Sequence, residues 1–124
     1  MLKRILVTGG NGRFAQELKK TKSRYKFIFR NNKQLNILSI KSIKNNFKKF
    51  KPQIILHLAG LSRPMNIHDK DISNSINLNI IGTANIVKIS EEKKIKIIFF
   101  STSYVYPGNK GNYKENDFLL PWNN

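Results

Sequence analysis

The sequence has no cysteine, few acidic residues and no long hydrophobic run. Without cysteine the chain forms neither disulfides nor thiolate metal sites, and this absence fits the reducing cytoplasm, where we expect the protein. No stretch reaches about 18 consecutive apolar residues, so neither a transmembrane helix nor a membrane partner is predicted. Met1-Leu2-Lys3-Arg4 leads directly into an apolar run of strand type, which argues against a secretory signal.

The shortage of acidic residues leaves a large positive charge. Seven Asp and Glu stand against 23 Lys and Arg, so the formal net charge is +16. A nucleic-acid ligand is one interpretation of this excess. The basic residues are scattered, however, and the abundance of Lys (18), Ile (17) and Asn (16) is typical of an AT-rich genome. We therefore favour compositional bias and expect no nucleic-acid partner, although the field would attract an anionic ligand.

Short strand-type runs alternate with amphipathic segments over the 124 residues, a length typical of one domain. The predicted strands are 4–8, 25–30, 53–58 and 96–101, and the predicted helices are 13–21, 39–50 and 71–92. The third and fourth strands are nearly continuous hydrophobic runs, as in a parallel sheet that is covered on both faces. The pattern predicts an α/β fold with a doubly wound parallel sheet, strand order 3-2-1-4. Residues after 101 are turn-rich without periodicity, so we expect the sheet to be truncated after its fourth strand.

A glycine-rich turn follows the first strand. Gly9, Gly12 and Ala15 have the G-x-x-G-x-x-[GA] spacing, directly between a strand and a helix. Gly9 would permit a tight turn, and Gly12 would let a pyrophosphate approach the backbone amides near Asn11 and the helix start. An ordinary glycine turn is the alternative, but the position favours a nucleotide-cofactor site.

Four segments, in order and spacing, resemble the extended short-chain dehydrogenase/reductase family of nucleotide-sugar epimerases, dehydratases and reductases, especially its dTDP-4-dehydrorhamnose reductase type. They are 7–12 (Val-Thr-Gly-Gly-Asn-Gly), 52–60 (Pro-Gln-Ile-Ile-Leu-His-Leu-Ala-Gly), 79–86 (Asn-Ile-Ile-Gly-Thr-Ala-Asn-Ile) and 100–108 (Phe-Ser-Thr-Ser-Tyr-Val-Tyr-Pro-Gly). The resemblance implies that residues 1–124 are an incomplete NAD(P)-binding Rossmann domain without the substrate lobe. It also implies a nucleotide-sugar substrate in the full-length parent, with a homodimer as one expected assembly.

The resemblance also assigns cofactor-binding roles. Gly9, Gly12, Arg13 and Phe14 would line the pyrophosphate turn, and Leu58, Ala59 and Gly60 would lie against the adenosine and the nicotinamide ribose. Asn36 and Ile37 occupy a Leu-Asp-hydrophobic motif that meets the adenine, where Asn36 keeps a hydrogen-bonding group but loses the charge. Asn79 matches the helix asparagine of an Asn-x-x-Gly-Thr motif, although packing of the helix against the sheet is an equal interpretation.

Position 30 bears on the choice between NAD and NADP. An acidic residue at the end of the second strand would bind both ribose hydroxyls and repel a 2′-phosphate. The chain has Arg30 instead, and a guanidinium suits a 2′-phosphate. We therefore favour NADP over NAD, with a plain surface charge as the alternative.

Catalytic residues are sparse. Thr102 matches the family's Ser/Thr that assists hydride transfer at a sugar carbon, although a hydroxyl that caps the strand end is the alternative. The Tyr-x-x-x-Lys spacing occurs once, at Tyr106 and Lys110, but Pro107-Gly108 excludes a helix between them. The resemblance places the catalytic tyrosine at or near position 125. A non-enzymatic dinucleotide-binding or regulatory module is therefore the alternative function.

The two histidines are interpreted without catalysis. His57 lies in a strand of buried type and is predicted to be a core residue. His68 stands near Asp69 and Asp71, but with no cysteine these residues make a poor zinc set, and we predict a solvated loop and no metal.

Overall fold

The protein is described by a computed structural model that covers residues 2–62, 64 and 66–120. Met1 and residues 121–124, which entered the sequence analysis, lie outside this range. At the centre is a sheet with strands β1 (Arg4–Thr8), β2 (Lys26–Phe29), β3 (Ile54–His57) and β4 (Lys96–Phe99). All neighbouring strands are parallel, which confirms the predicted α/β fold with a parallel sheet.

The strand order is 2-1-3-4, so the predicted 3-2-1-4 order is corrected in the position of the third strand. Ile5 of β1 pairs with Phe27 of β2 on one side and with Ile54 of β3 on the other. Burial explains this arrangement. Ile55 and Leu56 are buried in β3, whereas no residue of β2 is fully buried. β3, which is more buried than β2, therefore takes an interior position beside β1, and β2 takes an edge.

Helices cover both faces of the sheet. They are α1 (Arg13–Lys20), α2 (Ile40–Phe50), α3 (Ile67–Lys70), α4 (Ile72–Ile76) and α5 (Gly82–Glu92). The helix predicted over 71–92 is thus α4 and α5 joined by a π-helical turn, Asn77–Ile81, in which the Gly82 N–H bonds to the carbonyl five residues back. None of the helices in the described part of the chain is long and apolar enough to cross a membrane.

Side chains of β1 and β3 alternate between two hydrophobic clusters, one on each face of the sheet. The larger cluster contains Leu6, Leu35, Ile37, Ile43, Phe47, Ile55, Ile86 and Ile89. The smaller cluster contains Ile5, Val7, Ala15 and Leu56, and it packs against α1. The sheet is therefore doubly wound, and the carboxyl ends of β1 and β3 are held rigidly between two packed layers.

The start of α2 offers a local test of stability. Ser39 is the N-cap residue, and its Oγ accepts a hydrogen bond of 3.2 Å from the Ser42 N–H. Ser39→Ala leaves that amide without its side-chain partner and is expected to lower the free energy of unfolding by about 1 kcal/mol. Urea denaturation measures the change, with Lys41→Ala, an exposed helical position, as control. Equal stability of the two variants would contradict the capping role.

Candidate functional site

The glycine turn between β1 and α1 is wedged between the ends of β2 and β3. Gly9 has φ +66°, and a Cβ at this residue would lie 2.8 Å from backbone atoms of Leu58 and Ala59. The Gly10 N–H donates to the Arg30 carbonyl at 2.8 Å, and the Gly12 N–H donates to the Gly9 carbonyl at 2.9 Å. The turn therefore requires glycine at position 9, and its backbone is fixed at the crossover point of the sheet.

Helix α1 begins at this turn. Gly12 is the N-cap residue, so no side chain caps the helix, and the first turn contains no acidic residue. The first amides of a helix lack intrahelical acceptors, and the helix dipole is positive at this end. This end of α1 therefore has the properties of an anion site, as the glycine spacing predicts.

A cleft of about 470 Å³ opens at the carboxyl ends of the strands, above this turn. Its size falls in the range of small-molecule sites. It is lined by Gly9, Asn11, Gly12, Asn31, Asn32, Leu35, Asn36, Ile37, Leu58, Ala59, Gly60 and Leu78. Eight of these twelve residues are among the predicted cofactor contacts. The structure thus gathers the glycine turn, the 58–60 segment and the 36–37 segment around one space.

Four lining residues are not among the predicted contacts: Asn31, Asn32, Leu35 and Leu78. The position of the two asparagines indicates such a role, because they follow β2 after one residue, Arg30, and the carboxyl end of β2 lies beside that of β1. The lining of the cleft contains four asparagines and no charged side chain. Its hydrogen-bonding surface is therefore neutral.

The 36–37 segment is tied to two helices. The Asn36 N–H donates to Ser42 Oγ at 3.0 Å, and Asn36 Oδ1 accepts from the Leu38 N–H at 2.9 Å. The buried Ile37 offers its carbonyl to Asn85 Nδ2 at 3.1 Å. These bonds hold one wall of the cleft against α2 and α5.

Arg30 does not line the cleft. Its guanidinium lies over the Phe50 ring, 5.0 Å from the centroid, and its buried Nε has no hydrogen-bond partner among the described residues. Phe14, also predicted as a cofactor contact, packs its ring on Phe100 with centroids 5.0 Å apart. Neither Arg13 nor Phe14 is among the lining residues, so α1 contributes to the cleft through its N-cap.

Asn79 lies in the π-helical turn and fastens the loop after β3. Its Oδ1 accepts from the Leu61 N–H at 2.7 Å, and its Nδ2 donates to the Leu61 carbonyl at 2.9 Å. A Cβ on Gly60 would come within 3.0 Å of the same Oδ1. The side chain therefore packs the helix against the cleft wall and contacts the wall's backbone from outside.

Thr102 lies beyond β4 and is exposed. Its Oγ1 accepts a hydrogen bond of 3.2 Å from the Tyr104 N–H and caps a 3₁₀ turn, Ser103–Val105. Tyr106 and Lys110 do not share a helix: the Tyr106 ring stacks on Tyr113, and the Lys110 ammonium lies 3.7 Å from the Asp117 carboxylate. These two side chains therefore do not form the pair that hydride-transfer chemistry in this fold would use.

His57 is buried, with 2% exposure, at the end of β3. Its Nδ1 lies 2.8 Å from Thr8 Oγ1, and its Nε2 lies 3.0 Å from Thr83 Oγ1. Burial lowers the pKa of the imidazole from 6.5 to about 4, so the ring is neutral near pH 7. The prediction of a packed core histidine is confirmed.

The segment that contains His68 is held by hydrogen bonds between residues close in sequence. His68 Nδ1 lies 2.7 Å from Ser75 Oγ, and Asp71 caps α4 by accepting from the Asn74 N–H at 3.0 Å. Among the described residues, no group of three His, Asp or Glu side chains could hold a metal ion.

Nearly the whole chain matches one protein-family model. Residues 3–124 match the model described as RmlD substrate binding domain. Among sequence relatives, the methionine adenosyltransferase 2 subunit beta of Xenopus laevis is 29% identical over 72% of this chain and 26% of its own length. The spore coat polysaccharide biosynthesis protein SpsK of Bacillus subtilis is 28% identical over 95% of this chain and 42% of its own.

Solved structures of dTDP-4-dehydrorhamnose reductases are also similar to this chain. The dTDP-4-dehydrorhamnose reductase of Bacillus anthracis, in complex with NADP, superposes with a TM-score of 0.88 at 26% identity. It is matched over 98% of this chain and 44% of its own. The enzyme of the same name from Yersinia enterocolitica has a TM-score of 0.80 at 25% identity, over 98% and 43%. The chain thus spans less than half the length of these relatives.

Proposed function

Because the chain belongs to the RmlD substrate binding domain family, we propose that it is the cofactor-binding part of an NAD(P)-dependent nucleotide-sugar reductase or epimerase/dehydratase. The observation that carries the proposal is the cleft itself. A glycine turn, an uncapped helix start and the 58–60 segment meet there, between β1 and β3. Residues 1–124 would then be an NAD(P)-binding unit, to which a longer parent adds the substrate lobe.

The residues present fit a dinucleotide. At Gly9 there is no space for a Cβ, so the backbone closes tightly beneath the place of the pyrophosphate. Asn11, Gly12 and the start of α1 would bind the pyrophosphate, Asn36 and Ile37 the adenine, and Leu58 to Gly60 the riboses. When bound, the nicotinamide ring would supply or accept a hydride. The chain's own contribution is to orient that ring by fixing the rest of the molecule.

NADP is the preferred form of the cofactor in this proposal. No carboxylate follows β2, so nothing there repels a 2′-phosphate. Arg30 is held on the Phe50 ring beside Asn31, and its guanidinium carries donors that suit a phosphate. The net charge of +16 attracts the additional negative charge. The NADP complex of the similar Bacillus anthracis enzyme also supports this choice.

For the reaction, we propose that Thr102 helps to polarise the sugar carbonyl through its hydroxyl. The residue follows β4, which pairs with β3, and it therefore lies at the same edge of the sheet as the cleft. The resemblance places the tyrosine of the Tyr-x-x-x-Lys pair at or near position 125. Hydride transfer is consequently proposed for the longer parent protein.

A second candidate is a regulatory dinucleotide-binding module without hydride transfer. The observation in its favour is the set of relatives named methionine adenosyltransferase 2 subunit beta, at 25–29% identity. Both candidates bind a dinucleotide. Assays of the gene's full product separate them. NADPH oxidation with dTDP-4-dehydrorhamnose, or conversion of a nucleotide sugar without net NADPH oxidation, supports the first candidate. Dinucleotide binding without either reaction supports the module.

The binding step is tested with Gly12→Asp. The residue has φ −66°, which aspartate adopts, and the carboxylate would cap α1, but the new Cβ would lie 3.2 Å from the Gly9 carbonyl oxygen. Because the cap and this close contact act in opposite directions, we expect only a small change in the melting temperature. The carboxylate would occupy the anion site, and NADPH affinity in calorimetric titration is expected to fall at least about tenfold.

Gly111→Asp is the matched control, because a Cβ there meets no atom within 4 Å. Wild-type affinity of Gly12→Asp would contradict the pyrophosphate position. Failure of the wild type to bind NADPH and NADH, together with tight salt-dependent DNA binding, would support the nucleic-acid interpretation instead.

A further inference from the structure

The Thr8 hydroxyl has three hydrogen-bond partners at the base of the cleft. Its oxygen receives the backbone N–H of Leu58 at 3.1 Å and that of Ala59 at 3.0 Å. The third partner is His57 Nδ1 at 2.8 Å. Thr8 is 1% exposed, so water does not supply alternative partners. A hydroxyl of β1 thereby organises the backbone that leaves β3.

These three contacts fix the hydrogen on the imidazole. A hydroxyl oxygen has two lone pairs and one hydrogen. Both lone pairs are taken by the amides of Leu58 and Ala59, so the hydrogen must point to His57 Nδ1. Nδ1 then accepts, and the ring hydrogen is on Nε2, which donates to Thr83 Oγ1 at 3.0 Å. One tautomer alone satisfies all four bonds.

We propose that His57 is a positioning residue for the cofactor cleft: by accepting the Thr8 hydroxyl hydrogen, it directs both Thr8 lone pairs to the Leu58 and Ala59 amides. This inference rests on the proposed function, because Leu58, Ala59 and Gly60 form the wall assigned to the riboses. The imidazole itself does not line the cleft. It acts through Thr8.

The surroundings leave the wall little freedom. The position of a Gly9 Cβ is 2.8 Å from the Leu58 carbonyl group and the Ala59 nitrogen, so the two backbones are already in close contact. Without the hydroxyl, two partly buried N–H groups lose their acceptor. The peptide units of Leu58 and Ala59 would then rotate toward another acceptor, and both residues line the cleft. A shift of the wall therefore changes cofactor affinity.

A histidine with a merely structural role would behave differently. It would fill space between β3 and α5, tolerate either tautomer, and leave affinity to follow overall stability. Thr83→Val serves as the matched control, because it removes the bond to Nε2 and leaves the bonds to Thr8. The proposal predicts that this variant keeps the tautomer and loses much less affinity than Thr8→Val.

The first measurement is a long-range ¹H–¹⁵N correlation spectrum of the wild-type protein without cofactor. We expect His57 Nδ1 to resonate as an unprotonated nitrogen and Nε2 as a protonated one. Hydrogen exchange at the Leu58 and Ala59 amides is measured in the same samples. We expect faster exchange at both amides in Thr8→Val, and protection close to the wild type in Thr83→Val. The opposite tautomer, or unchanged exchange in Thr8→Val, would overturn the proposal.

The second measurement is NADPH affinity. Thr8→Val is expected to weaken binding about tenfold or more, and Thr8→Ser, which restores the hydroxyl, to recover most of that loss. His57→Asn, which retains an acceptor near Nδ1, is expected to bind more tightly than His57→Leu. Equal affinities within either pair would overturn the inference, provided that circular dichroism shows folded variants. If the wild type binds no dinucleotide, the proposed function fails, and the spectra and exchange rates still decide the role of His57.

Discussion

Replacement of Gly9 by alanine is expected to lower the free energy of unfolding by about 3 kcal/mol. The left-handed backbone at this position costs a side-chain-bearing residue about 1 kcal/mol or more. The new methyl group would also sit 2.8 Å from the Leu58 and Ala59 backbone, which adds about 1–3 kcal/mol of overpacking. Urea denaturation measures the sum as a lower midpoint with an unchanged slope.

Gly111→Ala is the control for this measurement. A Cβ at Gly111 meets nothing within 4 Å, and the residue lies in the exposed segment after the 3₁₀ turn. Its stability is expected to stay within about 0.5 kcal/mol of the wild type. If Gly9→Ala were as stable as Gly111→Ala, the close contact between the turn and the end of β3 would be wrong.

The second large effect is a loss of stability in mild acid. Burial lowers the pKa of His57 to about 4, against 6.5 for the unperturbed side chain. Above pH 6.5 the ring is neutral in both states, and its contribution is constant. Between pH 6.5 and about pH 4 the unfolded chain binds a proton that the native chain does not bind. The free energy of unfolding therefore falls as the pH falls, by about 1.4 kcal/mol per pH unit and up to about 3 kcal/mol in total.

Carboxylates also titrate near pH 4, so the wild type is compared with His57→Asn at each pH. The difference between the two unfolding free energies removes the common contribution of Asp and Glu. We expect the wild type to lose stability relative to the variant as the pH is lowered from 6.5 to about 4. If the unfolding free energies of the two proteins changed in parallel with pH, His57 would have the same pKa in the folded and unfolded states, and the prediction would be wrong.

The individual strands and helices are largely predictable, because apolar runs and amphipathic patterns depend on residues close together in the sequence. The apolar run at 4–8 and the lysine-rich amphipathic pattern at 39–50 predict β1 and α2 to within one residue. Strand order was wrong because it depends on competition for interior positions. The apolar run of the third strand is visible in the sequence, but its burial relative to β2 is set only by the assembled sheet.

The residues of the candidate site likewise fall into those predictable from local spacing and those set by contacts between distant parts of the chain. Gly9, Gly12 and the 58–60 segment, which the sequence predicts to share a site, line one cleft because backbone geometry at a strand end follows from sequence spacing. Arg30 and Phe14 are absent from the lining of the cleft, and each side chain packs on a ring, Phe50 or Phe100, that is distant in sequence. The Thr8–His57 bond joins residues 49 positions apart. No local pattern in a single sequence predicts such pairings.

The π-helical turn has a geometric consequence for the helix that contains it. One additional residue within an otherwise α-helical run rotates the residues on its amino-terminal side by about 100° relative to those on its carboxyl-terminal side. α5 buries Ile86 and Ile89, whereas Ile72 and Ile76 of α4 face outward. Deletion of a single residue from this turn would restore a uniform screw and swing Asn79 away from Leu61. The number of residues in the π-helical turn therefore sets which face of α4 and Asn79 is turned toward the loop after β3, beside the cleft.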